Sequence, residues 1–248
     1  MKLANYEFKP TLLSILLAAG FIVLFCLLGR WQLYRVAEKQ AIAGEITARA
    51  EAPEVELLSD TGRAGIEALW YRHAVARGHF EAAGQLLIDN ILHQGRPGFY
   101  VLTPLVLGDG STRVLVNRGW IPQGKDRREL PEITVPAGQV VVHGIIDKGP
   151  RQAISLGQPV PLSDTRPTLW LAIDYAEYAR QRGVALLPLT LNLDPGEPGG
   201  YARDWPPFRA RTGMHYGYAI QWFAFAVIVL VVFVYMGLKR GEGGAGGD

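Results

Sequence analysis

The chain has 248 residues, of which 49% are apolar and 19% charged, and its formal net charge is +2. That balance lends no support to nucleic-acid binding or to disorder. One cysteine, Cys26, and three methionines rule out a disulfide framework and leave little material for a soft-metal site.

Residues 1–10 carry Lys2 and Lys9 and lead into an uncharged run, TLLSILLAAGFIVLFCLLG (11–29). A helix crossing the hydrocarbon layer needs about 20 mostly apolar residues, and this run is long enough. It is long for the core of a signal peptide and passes into GRWQLYR without a small-x-small cleavage site. Phe25, a bulky residue, precedes Cys26, which makes that cysteine a poor lipidation site. An uncleaved anchor is expected. A second uncharged run covers 212–238 and ends at Lys239 and Arg240, followed by the glycine-rich tail of 239–248. Two spans place both ends on one side and residues 30–211 on the other. Lys2, Lys9, Lys239 and Arg240 flank the spans on the terminal side, and Arg30, Arg35, Lys39, Arg203, Arg209 and Arg211 on the other. Charge counting therefore fixes no orientation, because long translocated domains obey the positive-inside rule weakly.

Between the runs, β-branched and aromatic stretches alternate with turn signals. Strands are expected over 71–80, 85–93, 99–107, 112–121 and 139–146, with GDGS (108–111) as a hairpin loop. Residues 169–183 read as a strand running into a short helix stopped by Gly183, and 186–194 as a further strand. Short connections favour antiparallel pairing. The expected architecture is an α+β membrane protein: two transmembrane helices flank a mainly antiparallel β domain with one or two short helices.

Catalytic signatures are absent from this middle segment: no nucleophile elbow, P-loop, H-E-x-x-H or C-x-x-C occurs. His73 and His79 share one face of a strand but stand roughly 20 Å apart, too far to hold one metal. His93 and His143 read as ordinary strand or loop histidines. KDRRE (125–129) reads as a solvated loop, with a docking patch for an acidic partner as the sharper alternative. A binding module is expected, not an enzyme.

Four separated segments carry a resemblance. The first is L-G-x-W-Q-x-x-R-x-x-x-K at the end of the first apolar run, with Leu28, Gly29, Trp31, Gln32, Arg35 and Lys39. The second runs from Tyr71-Arg72 to Gly78. The third joins Gly98, Tyr100, Val101, Thr103 and Pro104 to Val116, Asn117, Arg118, Gly119, Trp120 and Pro122. The fourth enters the second run with His215, Tyr218, Ala219 and Trp222. Together, in order and with the same two-helix layout, they resemble the SURF1 (Shy1) family of assembly factors for haem–copper cytochrome oxidase. One position departs from the family pattern: Gly213 stands where the family has Asn. Glycine is tolerated at a helix N-cap, and Thr212 offers a hydroxyl for capping. If the Asn instead orients the histidine, another group must do so here.

The resemblance implies a bacterial inner-membrane protein whose middle domain is periplasmic. It also implies a role in maturing cytochrome c oxidase subunit I through haem a delivery or insertion. Haem a synthase and other oxidase assembly factors are further partners it suggests. The family's haem-ligand histidine corresponds to His215. Haem iron accepts an axial imidazole, and the macrocycle wants apolar walls with cations near its propionates. Tyr218 and Trp222 follow His215 on one helical face, and Trp31 leaves the first helix at the same level. Arg30, Arg35, Arg209 and Arg211 would supply the cations. Aromatic residues and arginines also gather at membrane interfaces without any ligand. The competing expectations are therefore a cofactor-free scaffold for a subunit I intermediate and, more remotely, an envelope enzyme or a copper chaperone.

Overall fold

The computed structural model describes residues 6–61, 65–124, 129–150, 160–205 and 212–240. It divides into two compact units, Met1–Glu45 with Phe208–Asp248, and Ile46–Pro207.

In the first unit, a ribbon of β1 (Tyr6–Phe8) precedes helix α1 (Leu12–Ala50). This helix does not end with the apolar run at Gly29. It continues through residues rich in Ala, Glu, Gln, Lys and Arg, all good helix formers, and ends at Ala50, three residues before Pro53. Arg35 and Glu38 add a 2.6 Å ion pair on its surface.

The second unit begins with β2 (Val55–Glu56) and a 3-10 turn at Ile66–Leu69. There follow β3 (His73–Phe80), β4 (Leu86–His93), β5 (Arg96–Leu107), β6 (Thr112–Pro122) and β7 (Gln139–Asp147). Next come β8 (Thr168–Trp170), the short helix α2 (Tyr175–Arg182) and β9 (Ala185–Leu193). The expected strands, the turn at 108–111 and the stop at Gly183 are all found, most pairings being antiparallel. Asp109 builds the turn by accepting from the backbone of Ser111 and Thr112. Asp174 caps α2 at Glu177 N, 2.9 Å away, and Gly183 ends it in the left-handed conformation.

The strand order is β2-β3-β7-β9-β6-β5-β4-β8, and an extra pairing of β3 with β5 closes the sheet on itself. β3, β7, β9, β6 and β5 therefore form a small barrel, with β6 and β9 parallel. Closure happens at Gly78, which pairs with Val140 on one side and Leu107 on the other. A Cβ there would lie 1.9 Å from the Val106 carbonyl oxygen, so only glycine lets the two strands meet.

Period-2 alternation fills the lumen: Ala74, Ala76 and Phe80 from β3, Leu105 and Leu107 from β5, and Leu187, Leu189, Leu191 and Leu193 from β9. Along β6 the same alternation runs Val114, Val116, Arg118. A guanidinium thus occupies a core position, only 2% exposed. Arg118 donates to the carbonyls of Gly199 and Thr134, each at 2.8 Å, and lies over the rings of Phe80 and Tyr201. No carboxylate pairs with it among the described residues, and burial pulls its pKa down. Carbonyl dipoles and π faces take the place of a counter-ion.

Its neighbours are structural too. Asn117 donates to Asn192 across the parallel β6–β9 pair, 3.1 Å, and accepts from Gly119 N. Outside the barrel, α2 buries Tyr178 against Leu86, Ile88, Leu102, Leu115 and Trp170. The four histidines of this unit are dispersed. His73 approaches Asp194 at 3.8 Å, His93 approaches Asp204 at 3.5 Å, and His143 Nδ1 stands 2.8 Å from Glu54 Oε1.

Arg118→Met leaves buried carbonyls without donors, at a cost of about 3 kcal/mol, and lowers the melting temperature of this unit by about 6–12 °C. Thermal circular dichroism of the detergent-solubilised chain checks this; an unchanged melting temperature contradicts it. The hydrogen bond to Glu54 raises the His143 pKa above its ordinary 6.5. A raised folded-state pKa stabilises fully below the ordinary value, and that contribution fades as pH rises through the raised one. The His143 side chain is 41% exposed, so the effect is small. The wild-type chain should lose more thermal stability between pH 6 and pH 9 than His143→Gln does.

Candidate functional site

The described part of the first unit is completed by α3 (Gly213–Gly237) and β10 (Leu238–Arg240), which pairs antiparallel with β1. Both α1 and α3 are long and apolar enough to cross a membrane. Most of their leucines, isoleucines and valines are exposed, which a helix in a soluble core would not allow.

The two helices run antiparallel and meet along a seam whose positions are spaced alternately four and three residues apart. On α1 it reads Ala18, Ile22, Phe25, Gly29, Gln32 and Val36; on α3, His215, Ala219, Trp222, Ala226, Val229 and Phe233, all buried or half-buried. Small residues permit the approach. A Cβ on Gly29 would lie 2.7 Å from the Phe223 ring, so the glycine makes room for that side chain. Phe25 stacks on Trp222 with centroids 5.7 Å apart and tilts against Phe225 at 5.6 Å.

One polar pair interrupts this apolar seam. His215 Nδ1 stands 2.8 Å from Oε1 of Gln32, whose residue is only 8% exposed. His215 Nε2 has no hydrogen-bond partner among the described residues. A longer contact of 3.5 Å joins Gln40 Nε2 to the Tyr216 hydroxyl.

The expected site residues are distributed unevenly around this pair. His215 and Trp222 lie on the seam. Tyr218 is 51% exposed and flanks it, because the residue packed one turn beyond His215 is Ala219. Trp31 is also 51% exposed and lies beneath the Arg35 guanidinium, 5.7 Å from its centroid. Arg30 and Arg35 are exposed, and Arg35 is engaged by Glu38. Arg30 and Trp31 line a shallow groove of about 490 Å³ with Leu27, Leu33 and Tyr34, all on α1. Arg209 and Arg211 lie outside the described residues, as do four residues of the KDRRE cluster and the 241–248 tail.

Thr212 occupies the N-cap position of α3, but its side chain makes no capping hydrogen bond, contrary to the expectation for its hydroxyl. Gly213 is the first helical residue and touches nothing with its α-carbon face. The imidazole is instead oriented from across the seam. Gln32 was visible in the L-G-x-W-Q motif, yet a neutral amide carries no charge or ligand signature, and its position opposite His215 emerges only from helix pairing. No group of three or more His, Cys, Asp or Glu able to hold a metal occurs among the described residues.

Two membrane-length helices with a satisfied polar pair in their seam, attached to a closed β-barrel unit, define a membrane-anchored barrel protein. The family model described as "SURF1 family" matches residues 19–227. The chain belongs to the SURF1 family. It is 25% identical to a SURF1-like protein of Caenorhabditis briggsae, over 84% of this chain and 70% of that one. It is 26% identical to Surfeit locus protein 1 of Rattus norvegicus, over 79% of this chain and 66% of the relative. Cytochrome oxidase assembly protein SHY1 of Saccharomyces cerevisiae is 24% identical over 71% of this chain and 45% of its own length.

The seam geometry is testable by spin labels at Leu33 and Ile220 in a Cys26→Ala background. Gly29→Ala should leave the distance distribution near wild type, since the Phe223 ring can swing aside. Gly29→Leu should lengthen and broaden it; an unchanged distribution contradicts the packing described.

Proposed function

We propose that this chain is an assembly factor for a haem–copper cytochrome c oxidase, and that it holds haem a through His215 on the way to subunit I. In this reading it sits in the inner membrane of a bacterium with its barrel unit on the periplasmic side. Assembly, and not catalysis, is its task. Family membership and the printed role of the yeast relative support the oxidase connection. The observation that carries the haem reading is the half-buried imidazole of His215, whose Nδ1 is occupied and whose Nε2 is free among the described residues.

The donor set fits a single axial ligand. His215 is the one histidine of the first unit, and Trp222 with Phe25 provides an apolar wall beside it. Haem a would be cargo, and one protein ligand suits a carrier that must release it. Arg30 and Arg35 remain the described candidates for propionate contacts. Tyr218 and Trp31, both exposed, would have to contribute from the flanks of the seam. Haem a synthase is a natural donor in this scheme, with other oxidase assembly factors as further partners.

One observation favours a second reading. The Gln32 bond already occupies Nδ1 of the imidazole, so the polar pair can serve helix registry alone. The protein would then be a cofactor-free scaffold for a subunit I intermediate. Purification from haem a-producing cells separates the two. Wild type should carry the Soret and α bands of haem a, and His215→Ala should lose them. Unchanged haem in the variant contradicts ligation; subunit I co-purified without haem supports the scaffold.

A further inference from the structure

We propose that Gln32 is a positioning residue for His215: it fixes the imidazole in the Nδ1–H form and reserves Nε2 for a ligand. The inference rests on the haem reading above. Its basis is the 2.8 Å contact between Gln32 Oε1 and His215 Nδ1. An amide oxygen can only accept, so the facing ring nitrogen must carry the proton. With Oε1 facing the ring, the opposite tautomer would set two lone pairs against each other, and the amide would have to turn to present its Nε2–H instead. Gln32 is only 8% exposed, so its amide has little access to water as a substitute partner.

The place of Gln32 in the seam makes this contact firm. Gly29 and Val36, one turn to either side, are buried, and Gln32 itself is 8% exposed. Its side chain is confined, and the imidazole it holds inherits that confinement. Ligating histidines usually donate their second N–H to an acceptor, which sets ring orientation and ligand basicity. A carboxylate acceptor makes the imidazole strongly basic and its bond to ferric iron tighter. A neutral amide orients the ring with much less of that effect. Orientation without tight retention is what a carrier needs.

The decisive experiment uses the full chain purified from haem a-producing cells as wild type, His215→Ala, Gln32→Leu and Gln32→Glu. Haem dissociation and midpoint potential are measured, and spin-label distances verify that the helices remain paired. Gln32→Leu should weaken haem binding by about 10- to 100-fold. Gln32→Glu should retain haem with a midpoint potential below that of the wild type. If Gln32→Leu separates the helices, Gln32→Glu carries the test alone, and an unchanged potential overturns the proposal. With helices paired, unchanged dissociation and potential in both variants, beside loss of haem in His215→Ala, overturn the role of Gln32 and leave ligation by His215 standing. Haem retained by His215→Ala overturns both.

Discussion

An amide and an imidazole face each other across the seam of two lipid-length helices, the amide almost wholly buried and the ring half-buried. The 2.8 Å contact of Gln32 with His215 is therefore a constraint on the whole helix pair. It sets which turn of α1 lies against which turn of α3. From that register follow the stack of Phe25 on Trp222 and the fit of Phe223 over Gly29. A shift of one turn would break the polar pair and drive side chains into the positions now held by Gly29, Ala219 and Ala226. The same contact leaves Nε2 of the ring without a hydrogen-bond partner among the described residues.

The barrel unit solves a separate problem. A sheet of this size exposes unpaired edges, and joining β3 to β5 removes most of them. The lumen is then too narrow for large side chains throughout, and Ala74, Ala76, Gly78 and Gly144 lie along its wall. Arg118 takes the place in the β6 alternation where another aliphatic residue would be expected, and it fastens the Gly199 and Thr134 backbones by hydrogen bonds. Asn117, Arg118 and Gly119, which look like a functional signature when read as V-N-R-G, are accounted for by these structural contacts. His73, His93 and His143 each approach a different acid, and no cluster able to hold a metal forms among the described residues.

The strands were legible because each half-buried segment alternates apolar and polar residues between recognisable turns, as GDGS at 108–111 shows. Closure was not, since nothing local in HAVARGHF announces that Gly78 will touch two neighbours. The extension of α1 to Ala50 was hidden for the opposite reason: apolar runs mark a span well, but residues 30–50 are helical by propensity and carry no such run. In the site, His215 and Trp222 were legible from helical spacing. Tyr218 was picked out by the same motif and spacing, whereas the packed position is held by Ala219, which is buried. Gln32 could be read only as part of a motif until the pairing of α1 with α3 put it opposite the imidazole.

Gln32 Oε1 faces His215 Nδ1 and calls for a proton on that ring nitrogen. Nitrogen-15 NMR of histidine-labelled, haem-free protein in bilayers reads that directly. His215 should show a protonated Nδ1 and a bare Nε2, with a cross-peak connecting the ring to the Gln32 side chain. A protonated Nε2 with a bare Nδ1 would contradict it.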